Sequence, residues 1–184
     1  MKEKDLIRCE LLVLAYKRGR RDEAARELLD LFQRPALYYI RRLVRSEADA
    51  WDALQETFMS ILKSIPTLRD ARALPAFVYR TARNAALTQN RRRHEDEPLT
   101  QAVQETVAAG EEQDFSHEDA ERLHRAMETL PLAQREVLTL FFLKDLSLEQ
   151  IAEVTGAAVG TVKSRMFYAK RALRERLGEV RHER

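Results

Sequence analysis

The sequence predicts an all-α fold of two small helical domains joined by a flexible acidic linker, and three observations carry that expectation. Glycine and proline number only five each in 184 residues, too few for the turn density of a sandwich or barrel. Charged residues make up 34% of the chain, and Leu, Ala, Arg and Glu, all good helix formers, dominate. Apolar residues recur at three- and four-residue intervals and show no strand-like alternation.

Taken in order, an opening helix is expected around Leu6, Leu11, Leu12, Leu14 and Ala15, interrupted by the basic segment 17–21. Residues 24–32 and 37–44 continue in helical period, with Pro35 near a helix start or kink. Residues 49–65 place Ala50, Leu54, Phe58, Ile61 and Leu62 on one face, and Pro66 ends that helix. Residues 68–74 read as a loop, and Pro75 suits the first turn of a helix running to about Arg92. These elements form an N-terminal domain, residues 1–93. Residues 94–116 contain Pro98 and Gly110 without a sustained apolar stripe and read as the linker.

The C-terminal domain, residues 117–184, is the clearer of the two. Helices are expected over 118–130 and 132–143, with Pro131 between them. Ser147-Leu148-Glu149-Gln150 is a capping-box pattern, and the short helix it opens stops at Gly156, a natural left-handed terminator. A longer helix follows from about Val159 to about Leu177. A short helix, a glycine turn and a basic second helix make a helix-turn-helix.

The net charge of +2 hides a strong segregation. From Arg69 to Arg93 there are seven Arg against Asp70 alone; from Glu95 to Glu121 there are ten acids and no Lys or Arg. From Thr161 to Arg176 six bases face Glu175 alone. Two basic patches flanking an acidic middle are two candidate polyanion contacts. There is no apolar run of membrane-spanning length and no signal-peptide pattern at the N-terminus. A lone cysteine, Cys9, cannot form an intrachain disulfide, so a cytoplasmic location is expected. No metal or cofactor is expected: His117 and His124 lack carboxylate support, no glycine-rich phosphate loop occurs, and no catalytic set is recognisable. Trp51, Phe58 and 141–143 are expected in the core.

A helix-turn-helix places its second helix in the major groove, where side chains meet base edges and phosphates. Here Val162, Met166, Ala169 and Leu173 would face the bundle. Thr161 lies in its first turn, and Lys163, Ser164, Arg165, Phe167, Tyr168, Lys170 and Arg171 are left to the DNA side.

Leu148-Glu149-Gln150-Ile151-Ala152-Glu153, Gly160-Thr161-Val162-Lys163-Ser164-Arg165 and Leu130-Pro131-Leu132-Ala133-Gln134-Arg135-Glu136-Val137 resemble the promoter −35 reader of extracytoplasmic-function (ECF) sigma factors, the sigma-70 family's group IV. Asp52-Ala53-Leu54-Gln55-Glu56-Thr57-Phe58 resembles that family's polymerase-binding helix. Residues 79–87 with Arg91-Arg92-Arg93 resemble its −10 reading and melting segment. The resemblance implies a sigma-2-like bundle and a sigma-4-like helix-turn-helix, and a factor that directs core RNA polymerase to promoters and is not an enzyme. It further implies that Asp52, Gln55, Glu56 and Phe58 dock on the largest-subunit clamp. Arg72, Arg80, Arg83, Asn84, Arg91, Arg92 and Arg93 would handle the −10 element, where a base flips from the stack. The partners implied are core polymerase through its clamp and flap, promoter DNA and an anti-sigma factor, with a monomer when free.

Phe77 stands where the family usually has Trp, Thr81 replaces an aliphatic residue, and the loop at 72–75 is poor in aromatics. Ala157-Ala158 removes the usual N-cap of the recognition helix, at a cost of about 1 kcal/mol. Two other readings fit part of the sequence. A sigma mimic that sequesters an anti-sigma factor would share the fold, and a polymerase-independent helix-turn-helix regulator would leave segment 52–58 without a purpose.

Overall fold

The computed structural model describes residues 3–96 and 117–179, and every regular element among them is helical. Helices α1 (Glu3–Lys17) and α2 (Arg21–Arg41) form a hairpin whose turn holds Gly19 at φ +86, a left-handed conformation that suits glycine. Arg8 on α1 ties the two together, donating to Glu27 at 2.5 Å and to Asp30. Helix α3 (Glu47–Ser64) starts at Ser46, whose Oγ accepts from the Asp49 N–H at 3.2 Å. It gives way at Ile65–Thr67 to a single 3₁₀ turn that contains Pro66.

The connection expected as a plain loop over 68–74 holds a second short turn, Ala71–Ala73, capped by Asp70. It is anchored to α1 from both sides: Lys17 Nζ donates to the Leu68 carbonyl at 2.7 Å, and Arg72 Nε pairs with Glu10 at 3.0 Å. Helix α4 (Leu74–Asp96) runs one turn beyond its expected end, so residues 94–96 are helical and not part of the tether. The remainder of the acidic segment, 97–116, lies outside the described residues.

Pro35 is the other departure. It sits inside α2 with helix continuing on both sides, although an interior proline removes a hydrogen bond and costs about 3 kcal/mol. Leu31, Phe32, Ala36, Leu37 and Ile40 are all buried around it, and that packing on either side of the break holds the helix as one.

The C-terminal half consists of α5 (His117–Glu128), α6 (Leu132–Lys144), α7 (Leu148–Thr155) and α8 (Val159–Glu179). The capping box is formed in full: the Gln150 N–H donates to Ser147 Oγ at 3.2 Å, and the Ser147 N–H donates to Gln150 Oε1 at 2.9 Å. Gly156 at φ +68 ends α7. The face expected to meet the bundle is buried as a set: Val162, Met166, Ala169 and Leu173. Trp51 and Phe142, expected in the core, are instead 45% and 66% exposed. Helical period assigned each of them a face, but no element among the described residues covers that face.

The two halves pack directly on one another. Helix α4 presents a run of small side chains, with Ala82, Ala85 and Ala86 buried, and lies between α3 and α7, while α2 meets α6. Small residues allow the close approach of helix axes that this three-way packing needs.

Candidate polymerase and nucleic-acid interfaces

On α3 one edge points out and one points in. Asp52, Gln55, Glu56 and Met59 are exposed along the outer edge, a carboxylate–amide face with an apolar end. Phe58 is buried at 8% exposure, on the same inward edge of α3 as Ala50, Ala53, Leu54 and Ile61. Its expected contact with polymerase is therefore corrected: one residue's rotation around the helix turns Phe58 inward, where it fixes α3 against the bundle.

The −10 residues fall into three groups. Arg80 and Asn84 line a cleft of about 380 Å³ between α3 and α4, together with Glu56, Phe77 and Thr81. The Arg80 guanidinium lies 5.5 Å from the Phe77 ring centroid, so the Phe that replaces tryptophan still offers a flat apolar wall. Thr81 turns its hydroxyl back to the Phe77 carbonyl at 2.8 Å, which engages that donor within its own helix. Arg91 and Arg92 are exposed near the end of α4, and Arg91 Nε reaches the Leu87 carbonyl at 3.4 Å. The side chain of Arg93 lies outside the described residues. Arg72 is apart from both groups, largely exposed and held by Glu10.

Arg83 is the residue the structure places differently. Its Nε donates to Glu136 Oε1 at 2.8 Å, and the same oxygen accepts from the Tyr39 hydroxyl at 2.8 Å. Glu136 lies on α6 and is buried. Arg80 makes a second link across the same seam, to Glu153 on α7 at 2.8 Å. Burial pushes both Tyr39 and Tyr79 well above the ordinary phenol range, and for Tyr39 the Glu136 charge adds to the effect. The sequence carries no signal for Tyr39, Glu136 or Glu153 as interface residues, since each is one acid or phenol on an amphipathic helix.

On α8 the outward set is Thr161, Lys163, Ser164, Phe167, Tyr168 and Arg171, all exposed. Ser164 is partly used, donating to the Gly160 carbonyl at 3.0 Å. Arg165 and Lys170 are half-buried, and Lys170 Nζ sits 4.8 Å from the Phe141 ring centroid. Arg171 pairs with Glu175 one turn along, an exposed contact that yields easily to a phosphate. Phe167 and Tyr168 stand edge to face at 5.5 Å, an aromatic pair beside the basic row. No helix among the described residues is long and apolar enough to cross a membrane.

Both halves of the chain match known proteins. Residues 28–95 match the family model for sigma-70 region 2, and residues 120–173 match that for sigma-70, region 4. The RNA polymerase sigma factor SigV of Bacillus subtilis is 30% identical over 134 residues, covering 73% of this chain and 79% of the relative. The ECF RNA polymerase sigma factor EcfG of Rhodopseudomonas palustris is 33% identical over 123 residues, covering 66% and 67% respectively. Among solved structures, the sigma factor RpoE of Bartonella quintana, crystallised with the anti-sigma factor NepR, superimposes with a TM-score of 0.68 at 27% identity. That match covers 83% of this chain and 95% of the other. The chain belongs to the sigma-70 family of RNA polymerase sigma factors, in its extracytoplasmic-function branch.

Proposed function

We propose that this sigma factor binds the clamp of core polymerase through Asp52, Gln55 and Glu56 on α3, and contacts the polymerase flap through its C-terminal domain. In this reading Arg80, Asn84 and the cleft they line take a base flipped from the −10 element. Arg83, Arg91, Arg92 and Arg93 hold the adjoining phosphates, with Arg72 at the edge of the site. Thr161, Lys163, Ser164, Arg165, Phe167, Tyr168, Lys170 and Arg171 read the −35 duplex. Residues 1–96 then form the polymerase-binding and melting domain, 97–116 the tether, and 117–184 the −35 domain. The chain acts in the cytoplasm as a monomer when free, performs no covalent step, and is held in check by an anti-sigma factor, as the co-crystallised relative suggests.

The observation that carries this reading is one of spacing. A solvent-facing carboxylate–amide edge on α3 and a solvent-facing basic row on α8 each fall inside one of the two matched family regions. A sequestering mimic would need the first surface and not the second. The test is binding of the purified chain to core polymerase, followed by footprinting of the complex on promoter DNA. Gln55→Ala/Glu56→Ala is expected to abolish polymerase binding; Arg165→Ala/Lys170→Ala is expected to keep it and lose protection at −35. Retention of polymerase binding in the first pair would remove the assignment of α3.

A further inference from the structure

The connection from α3 to α4 is held firmly at its ends and lightly in between. Ile65, where it leaves α3, and Leu74, where it enters α4, are buried at 1% and 0% exposure. No residue between them is buried: Leu68, Ala71 and Ala73 are half-covered, and Pro66, Thr67, Arg69, Asp70 and Arg72 are exposed. Apolar packing alone therefore leaves this stretch loosely placed. Two polar contacts from α1 add what packing does not. Lys17 Nζ donates to the Leu68 carbonyl at 2.7 Å, and Arg72 Nε donates to Glu10 Oε1 at 3.0 Å. Glu10 and Lys17 lie two turns apart on one edge of α1, about 10 Å along its axis, so they grip the connection at two separated points. We propose that Glu10 and Lys17 are positioning residues for −10 recognition: from α1 they hold segment 68–72 in the placement that shapes one end of the cleft between α3 and α4. This inference rests on the reading above that the cleft takes a base of the −10 element.

The connection meets the cleft on both sides. Ser64, the last residue of α3, and Phe77, in the first turn of α4, both line it. Thr67 Oγ1 donates to the Ser64 carbonyl at 2.9 Å, and Ser64 Oγ donates to the Ser60 carbonyl at 2.9 Å, which joins the first short turn to the cleft wall. Asp70 caps the second turn by accepting from the Arg72 N–H at 2.9 Å, and that turn runs directly into α4. Arg72 is thus fixed at its backbone by Asp70 and at its guanidinium by Glu10. Its side chain stays 72% exposed, so the Glu10 contact aims the guanidinium without hiding it from a phosphate. Each α1 contact is solvent-exposed and weak by itself. Acting on a stretch with no buried residue of its own, the pair decides where the loop lies and not whether the bundle folds. Loss of the pair is therefore expected to change base preference with little change in stability.

The test uses run-off templates built on a promoter recovered from the genomic pool, barcoded in the transcribed region and randomised over the −10 element. A matching set is randomised over the −35 element, and the barcodes transcribed by the holoenzyme are sequenced. Glu10→Ala/Lys17→Met is expected to flatten base preference at the −10 positions about fivefold, the scale that two exposed contacts can supply. Preference at −35 and affinity for core polymerase are expected to stay as in the wild type, and the melting temperature to fall by no more than about 3 °C. Glu10→Gln/Lys17→Arg keeps an acceptor for Arg72 and a donor for the Leu68 carbonyl, and is expected to restore most of the preference. Lys4→Ala/Arg18→Ala, at exposed positions of the same helix, is expected to alter neither element. Unchanged −10 preference in Glu10→Ala/Lys17→Met overturns the proposal, as does an equal loss at −35 or the same flattening from Lys4→Ala/Arg18→Ala. The −10 reading fails separately: if Arg80→Ala/Asn84→Ala leaves the −10 preference intact, the cleft does not read that element, whatever the α1 variants show.

Discussion

Glu56 and Phe58 are two residues apart on α3, and their side chains do opposite things. Glu56 faces solvent on the edge proposed to meet polymerase, and Phe58 is buried on the edge that carries Ala50, Ala53, Leu54 and Ile61. Phe58→Ala is expected to destabilise the chain by about 3–5 kcal/mol, read by denaturant melts, because it leaves a cavity in the bundle. Gln55→Ala/Glu56→Ala is expected to change stability by less than about 0.5 kcal/mol and to act only on polymerase binding. The phenols offer a second check at this scale. The chain has five tyrosines, and burial raises the pKa of Tyr39 and Tyr79. A raised folded pKa means their stabilising contribution is fully present below about pH 10 and is lost as pH climbs from there toward the folded values. Ultraviolet titration is therefore expected to show two phenols that ionise only as the chain opens or unfolds at high pH. Five phenols titrating together in a folded chain would contradict the packing of that seam.

Among the elements, those set by local chemistry were legible in the sequence and those set by distant neighbours were not. The helix α7 was readable at both ends because its signals are self-contained: a Ser–Gln capping box at 147–150 and a glycine at 156. Gly156→Ala meets no atom within 4 Å, so its cost is conformational alone, about 1–2 kcal/mol for a left-handed non-glycine residue. It should appear as a lowered melting temperature with the fold retained. The continuity of α2 through Pro35 was not readable, since it depends on side chains buried against other helices. The extra turn of α4 had no local signal either, because polar residues at a helix end fit helix and tether equally well. On α8 the split between buried and outward positions followed from period alone, but the half-burial of Arg165 and Lys170 did not. Their joint replacement by alanine is expected to reduce the salt dependence of −35 binding by about two ion equivalents if both meet phosphates. An unchanged slope would move phosphate contact to other residues of the helix.

At the scale of the whole molecule, the sequence showed two basic patches and an acidic middle, and from these a chain able to contact DNA twice. The way the domains meet was out of its reach. The Glu136 and Glu153 links bridge 53 and 73 residues of chain, and nothing in local pattern pairs them with Arg83 and Arg80.

The most direct test is run-off transcription on a genomic promoter pool, using core polymerase from the same source with this chain or its variants. Promoter-specific transcripts are expected with the wild-type chain and are expected to be lost with Gln55→Ala/Glu56→Ala and with Arg165→Ala/Lys170→Ala. A chain that binds core polymerase, yields no transcripts from any promoter in the pool and retains its anti-sigma partner would contradict the assignment and indicate a sequestering role.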